Sequence, residues 1–254
     1  MISLSPIVEG DGEVAALPVL LRRIAEWRTP EVYVDVLAPI RVYKDRFLNR
    51  DDEFTRHLKL AAAKAGERGW ILILLDADDD CPISKGRDIA RRAAAVVPHR
   101  SIGVVMANRE YEAWFIAAAQ SLDGVRSFSY RHSDQAVDPE LPRNAKGWMR
   151  DRMSNGAYRE TTDQPGFSAR MDLQQAFARS RGGWPPTGPR QRGRRGATRA
   201  VTPPRRLVAG GRLGLRLAAR LGGWPRRCVG RLGCGPRTCS RLRRCLRASH
   251  RGRS

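Results

Sequence analysis

Residues 70–86 read WILILLDADDDCPISKG. The run Trp70 to Leu75 is apolar without interruption, the mark of a strand covered on both faces. It ends in Asp76, Asp78, Asp79 and Asp80, four acids within five positions. Like charges about 4 Å apart repel by roughly 4 kcal/mol at an effective dielectric near 20. A chain that places them at the mouth of a buried strand needs something to offset that repulsion. Beyond the acids, SKGRDIARRAAAVV repeats apolar residues at helical spacing. The unit is strand, acidic turn, helix.

The same alternation extends in both directions. MISLSPIV reads as a strand closed by EGDGE, and VAALPVLLRRIAEW as a helix in which Pro18 is tolerable only near a first turn or as a kink. EVYVDVLAPIRV is β-rich. DDEFTRHLKLAAAKAGERG has acids at its start, alanines inside and a closing glycine, as a helix should. SIGVVMA is another buried strand. NREYEAWFIAAAQSL places Tyr111, Trp114, Phe115 and Ala118 on one buried helical stripe. Four β–α units in a row predict an α/β fold, a doubly wound and mainly parallel sheet with helices on both faces. Residues 123–180 are less regular: RNAKGWMRDRMS and DLQQAFARS read as helices. The organisation is a domain over 1–180, with a core at 1–122 and a helical extension at 123–180, followed by a tail at 181–254.

The tail carries the charge. The chain has 254 residues and a formal charge of +21. Residues 181–254 contain 21 Arg and no Lys, Asp or Glu, so positions 1–180 are net neutral. The tail also holds 14 of the 24 Gly and four of the five Cys (Cys228, Cys234, Cys239, Cys245). It lacks Phe, Tyr, Met, Ile, Asn and Lys, the residues of A/T-rich codons. A GC-rich gene read out of frame from near Ser180, or a sequencing error, accounts for this composition. A disordered Arg/Gly arm that binds phosphate through counterion release is the competing reading. The cysteine spacing matches no zinc pattern. No run approaches the roughly 18 apolar residues of a membrane span, and no secretory leader is visible, so a cytoplasmic protein with no membrane partner is expected.

Parallel strands share one carboxyl edge, where ligands of open α/β sheets bind. The first strand ends at Glu9, the third at Asp76 and Asp78, the fourth near Glu110. Three strands thus deliver acids to one rim. A bound Mg²⁺ or Mn²⁺, one ion or two, would offset their repulsion and could clamp the oxygens of a phosphodiester. Asp is also common in turns and at helix caps, which accounts for part of the 78–80 run.

IVEGDGE with Glu9, and LLDADDD with Asp76 and Asp78, resemble the Glu and Asp-x-Asp signatures of the TOPRIM fold of topoisomerases, primases and overcoming-lysogenization-defect-type nucleases. VMANREYEAWF, RNAKGWMRDRM and TTDQPGFSARMDLQQAFARS are together similar to a bacterial family, domain of unknown function 4276, over about residues 1–180. The resemblance implies a TOPRIM-like metal-dependent nuclease, in phage defence or DNA repair. Its substrate would be nucleic acid, DNA ahead of RNA. It implies that Glu9 binds metal or acts as general base and that Asp76 and Asp78 hold metal. Glu13, Asp80, Glu110 and Glu112 are candidates for a second ion. Lys146, with Arg109 behind it, would stabilise charge on the transferring phosphate. A partner ATPase is implied too; no P-loop pattern occurs in this chain.

Three other readings compete. A receiver-type signalling module would use Asp78 in DDDCPISKG as a phosphoacceptor, although Gly10 separates Glu9 from Asp11 where receivers have adjacent acids. A haloacid-dehalogenase-type phosphatase fits less well, because Asp80 stands where that motif wants Thr or Val. A non-catalytic partner-binding domain is the remaining reading. His57, His99 and His132 lack ligand spacing and read as surface residues. Cys81 reads as a turn residue. Trp114, Trp148 and Phe115 read as core, with Trp148 also able to stack on a base.

Overall fold

Strand β4, Trp70–Asp76, runs through the middle of a five-stranded sheet. A computed structural model describes residues 1–180; the Arg-rich tail, for which disorder or an out-of-frame origin is expected, lies outside the described residues. β1 (Ile2–Val8) and β5 (Ser101–Ala107) flank β4, and every pairing is parallel. β2 (Val34–Val36) and β3 (Ile40–Arg41) both pair with the far side of β1, giving the order β2-β1-β4-β5 with β3 beside β1. Registers of Ile7 with Ile73 and of Asp76 with Ala107 bring the carboxyl ends of β1, β4 and β5 to one edge.

Strand alternation divides the interior. Leu4, Val8, Leu72 and Leu74 face one core, completed by α1 (Asp11–Arg28), α5 (Ala113–Ala117), α6 (Ala145–Arg150), α7 (Glu160–Arg170) and α8 (Leu173–Arg179). Ile7, Ile71, Ile73 and Leu75 face the other, completed by α2 (Lys44–Asn49), α3 (Asp51–Ala65) and α4 (Pro82–Val96). The sheet is therefore covered on both sides, as the apolar run of β4 requires. No helix among the described residues is long and apolar enough to cross a membrane.

Several local expectations need correction. EVYVDVLAPIRV is two short strands, because Pro39 interrupts the ladder between them. β5 lies at the sheet edge, so only Val105, Met106 and Ala107 are buried. NREYEAWFIAAAQSL forms one short helix and a 3₁₀ turn at 119–122, yet Tyr111, Trp114, Phe115 and Ala118 are all buried. α1 begins at Asp11, so Pro18 sits well past the first turn. α2 and α7 had no counterpart in the sequence reading. His57 is half-buried, its Nδ1 2.7 Å from the Glu53 carbonyl and its ring edge-on to Phe47. His99 and His132 are exposed. Trp148 is half-buried and its ring face is covered by the Arg152 guanidinium at 3.5 Å.

Candidate functional site

Glu9 leaves the end of β1 and enters the turn before α1. Gly10 caps that helix from an extended backbone, and Glu13, one turn in, accepts the Gly10 N–H at 2.5 Å. Ala77 continues β4 by donating to Ala107 at 2.9 Å. Asp78 then adopts a left-handed backbone with φ 47°, and Arg109, past β5, does the same with φ 74°. The two turns are tied together: Asp78 N–H donates to the Arg109 carbonyl at 3.3 Å. Non-glycine residues held in this region cost of order 1–3 kcal/mol and cluster at functional sites.

The acids fall into an outer and an inner group. Outside, the Lys44 ammonium from the start of α2 bonds Asp78 and stands 3.8 Å from Glu9 Oε2. Lys44 is only 13 % exposed, while Asp78 is 66 % exposed. Burial opposes its charge, but Asp78 and then Glu9 outweigh this and raise its pKa. Burial pushes the Glu9 carboxyl up, Lys44 pulls it down and Asp78 pushes it up again, with a net rise. Sequence reading missed Lys44. It stands in no motif, and only the parallel register of β3 with β1 brings it to Glu9.

Inside, Asp76, Glu13 and Glu112 repel one another. Glu112 is fully buried; its Oε1 accepts from Tyr158 Oη at 3.0 Å and Gln164 Nε2 at 2.7 Å. Its Oε2 is buried with no hydrogen-bond partner. Burial raises its pKa to about 7. The Asp76 carboxyl lies well above its ordinary range, through burial first and then Glu13, Glu112 and Glu9. Burial likewise raises Glu13, against the Gly10 amide. The opposing cation is Lys146. Its Nζ is 3.1 Å from Glu160 Oε2, and despite burial Glu112, Glu160 and Asp76 raise its pKa. Tyr158, just before α7, and Glu160 and Gln164 within it were not singled out, although Gln164 falls in the family-like stretch TTDQPGFSARMDLQQAFARS, because the polar, proline-containing α7 did not read as a helix.

Glu110 is drawn to the same place; its Oε2 accepts the Lys146 N–H at 3.2 Å, and burial raises its pKa. Two candidates stand apart. Asp80 pairs with Lys85 at 3.1 Å and is 56 % exposed. Arg109 donates to Asp79 at 2.7 Å, joined there by Arg143, and these arginines, Arg143 first, lower the Asp79 pKa. Arg109 thus answers the acidic turn itself. Among the described residues no three His, Cys, Asp or Glu side chains already form a metal-holding group.

α1 and α7 are in close contact at this site. A Cβ on Gly12 would come within 2.1 Å of Gln164 Oε1 and 2.9 Å of Glu160 Cβ. Only glycine lets the first turn of α7 lie against the first turn of α1, which is how Glu160 and Gln164 reach the inner acids.

The chain belongs to the family described as domain of unknown function (DUF4276), whose model matches residues 8–183. No curated protein and no solved structure matches it.

Proposed function

We propose that residues 1–180 form a metal-dependent phosphodiesterase of TOPRIM type that cleaves nucleic acid, DNA ahead of RNA, in the cytoplasm. The observation that carries this reading is the convergence of Glu9 from β1 with Asp78 from beyond β4 on one lysine, with Asp76 half-buried beside them. The donor set is carboxylate only, which suits Mg²⁺ or Mn²⁺. Glu9 Oε2 is buried with no hydrogen bond, an acceptor available to a cation. Glu9, Asp76 and Asp78 would hold the ion, which when bound polarises the phosphate and acidifies water.

Glu13 and Glu110 already accept backbone amides, Glu112 accepts a hydroxyl, and Asp80 stands apart on Lys85, so one ion is favoured over two. Glu9 would either complete the shell of that ion or, raised by burial, accept the proton of the attacking water. Lys44, at the outer edge, faces the developing charge on phosphate more directly than Lys146, whose ammonium serves the inner acids. Any ATP-driven step, in phage defence or repair, would come from a partner chain.

Plasmid DNA incubated with the full chain and Mn²⁺ tests the reading. Nicking by the wild type, lost in Glu9→Gln and Asp76→Asn variants of unchanged circular dichroism, is the expected result. Absence of metal-dependent cleavage in the folded wild type would overturn it. One feature favours a second reading. Counting only β1, β2, β4 and β5, the strand order is the 2-1-3-4 of flavodoxin-like sheets, and a lysine meets the acid after the third of these strands. Stable labelling of Asp78 by acetyl phosphate, without cleavage, would support that receiver-like module.

A further inference from the structure

We propose that a cleft at the start of α7 binds a backbone phosphate of the polynucleotide substrate. This rests on the nuclease reading and extends it to how substrate is held. The cleft, about 210 Å³, is lined by Arg126, Ser127, Asn155, Arg159, Thr162 and Asp163. Asp163 is the only acid among them, and both its oxygens are taken. Oδ1 accepts from Arg126 Nε at 2.8 Å, and Oδ2 accepts the Arg159 N–H at 2.6 Å. Asn155 Oδ1 is also occupied, by the Ala157 N–H at 3.1 Å.

What the cleft has left to offer is therefore donors. Among the described residues the terminal nitrogens of Arg126 and the whole Arg159 guanidinium make no hydrogen bond or ion pair. The Asn155 amide nitrogen and the Ser127 hydroxyl add two more. Arg126 is also fixed in place. Its stem crosses Gly166 so closely that a Cβ there would meet Arg126 Cδ at 2.2 Å, while Asp163 holds Nε. A planar guanidinium anchored through Nε presents its remaining edge, the geometry that suits phosphate oxygens. Two arginines against one spent carboxylate make this a positive site in a domain whose net charge is zero.

Helix periodicity connects the cleft to the acids. On α7, Thr162 and Asp163 follow Arg159 at i+3 and i+4 and face the cleft. Glu160 and Gln164, also four apart, face Lys146 and Glu112. Just upstream, Ala157 lines the cleft while Tyr158 reaches Glu112. The two sites lie on opposite sides of the same few residues, so a polynucleotide that reaches both wraps around the start of α7.

Hydrogen exchange of the full chain, with a ten-nucleotide single-stranded DNA and Ca²⁺, reads the cleft apart from the Arg-rich tail. Exchange at residues 155–163 is expected to slow about tenfold on DNA addition, as for amides shielded in a bound segment. Arg159→Gln, at a side chain that makes no hydrogen bond or ion pair among the described residues, is expected to lose that protection and keep protection at 76–80. Arg159→Lys, which retains the charge, keeps part of it. Protection at 76–80 alone in the wild type would overturn the cleft and leave the nuclease standing. Protection at neither would remove both. Slowing at 155–163 by inorganic phosphate but not by DNA would make this a small-anion site and overturn the assignment to the backbone.

Discussion

Two lysines meet one set of acids from opposite sides, and they do different work. Lys44 stands at the outer edge against Glu9 and an exposed Asp78. Lys146 stands at the inner edge against Glu160, Glu112 and Asp76, where both Asp76 and Glu112 are pushed toward the protonated form. Outside, water shares in screening the charges, so a cation can exchange. Inside, desolvation sets the protonation state, so the lysine is needed to keep the acids charged. The acidic run after β4 is thus answered by the protein's own cations, Lys44 on Asp78, Arg109 and Arg143 on Asp79 and Lys85 on Asp80, while Lys146 answers the inner acids.

That contrast can be broken or sharpened by measurement. Asp76→Asn removes the acid both groups share, and metal-dependent cleavage should fall on the order of 10²–10³-fold, the scale of losing one electrostatic element of a site. Equal rates in plasmid nicking would end the idea of a shared centre. Glu112 tests the interior by pH. Its folded pKa of about 7 lies above the unfolded 4.5, so the folded state holds the extra proton between those values. Stability is then highest below about pH 4.5 on this account and declines as pH rises to about 7, by at most about 3 kcal/mol. Urea melts of metal-free Glu112→Gln should lack that decline.

Lys146→Met strips the inner acids of their cation. Half-exposure of the ammonium tempers the loss, to about 1–2 kcal/mol at pH 8 and less at pH 5, where Glu112 can protonate. A variant as stable as wild type at pH 8 would show that Lys146 is ornamental. Lys44→Met carries the smallest expected effect, with the opposite sign. Without an ammonium to displace, Mn²⁺ should bind a few-fold tighter by titration calorimetry, although cleavage falls. Weaker Mn²⁺ binding would mean that Lys44 organises the acids and does not compete for them.

Legibility in the sequence followed the range of the interactions. β4 was plain because burial on both faces demands an unbroken apolar run, and Trp70–Leu75 is one. Glu9, Asp76 and Asp78 were found because parallel topology sends strand ends to a common edge. Lys44 and Glu160 were not. Each is the first residue of a helix that the pattern did not announce, and the partner of each lies more than ten residues away in sequence. α7 hid for a local reason: Pro165 and Gly166 interrupt a helical pattern that packing against α1 restores. Lys146 was picked for the phosphate, and the buried Glu112 near it adds a second role. That role depended on Tyr158 and Gln164, which no spacing rule links to position 112.

The missing side chain at position 12 has a consequence for the whole centre. Because nothing larger than hydrogen fits between Gly12 and Gln164, even a methyl group there would act as a wedge at the seam of α1 and α7. Water admitted through such a gap would hydrate Glu112 and Asp76 and return them to ordinary acidity. The dryness around Glu112 is thus guarded from behind, by an atom that is not there.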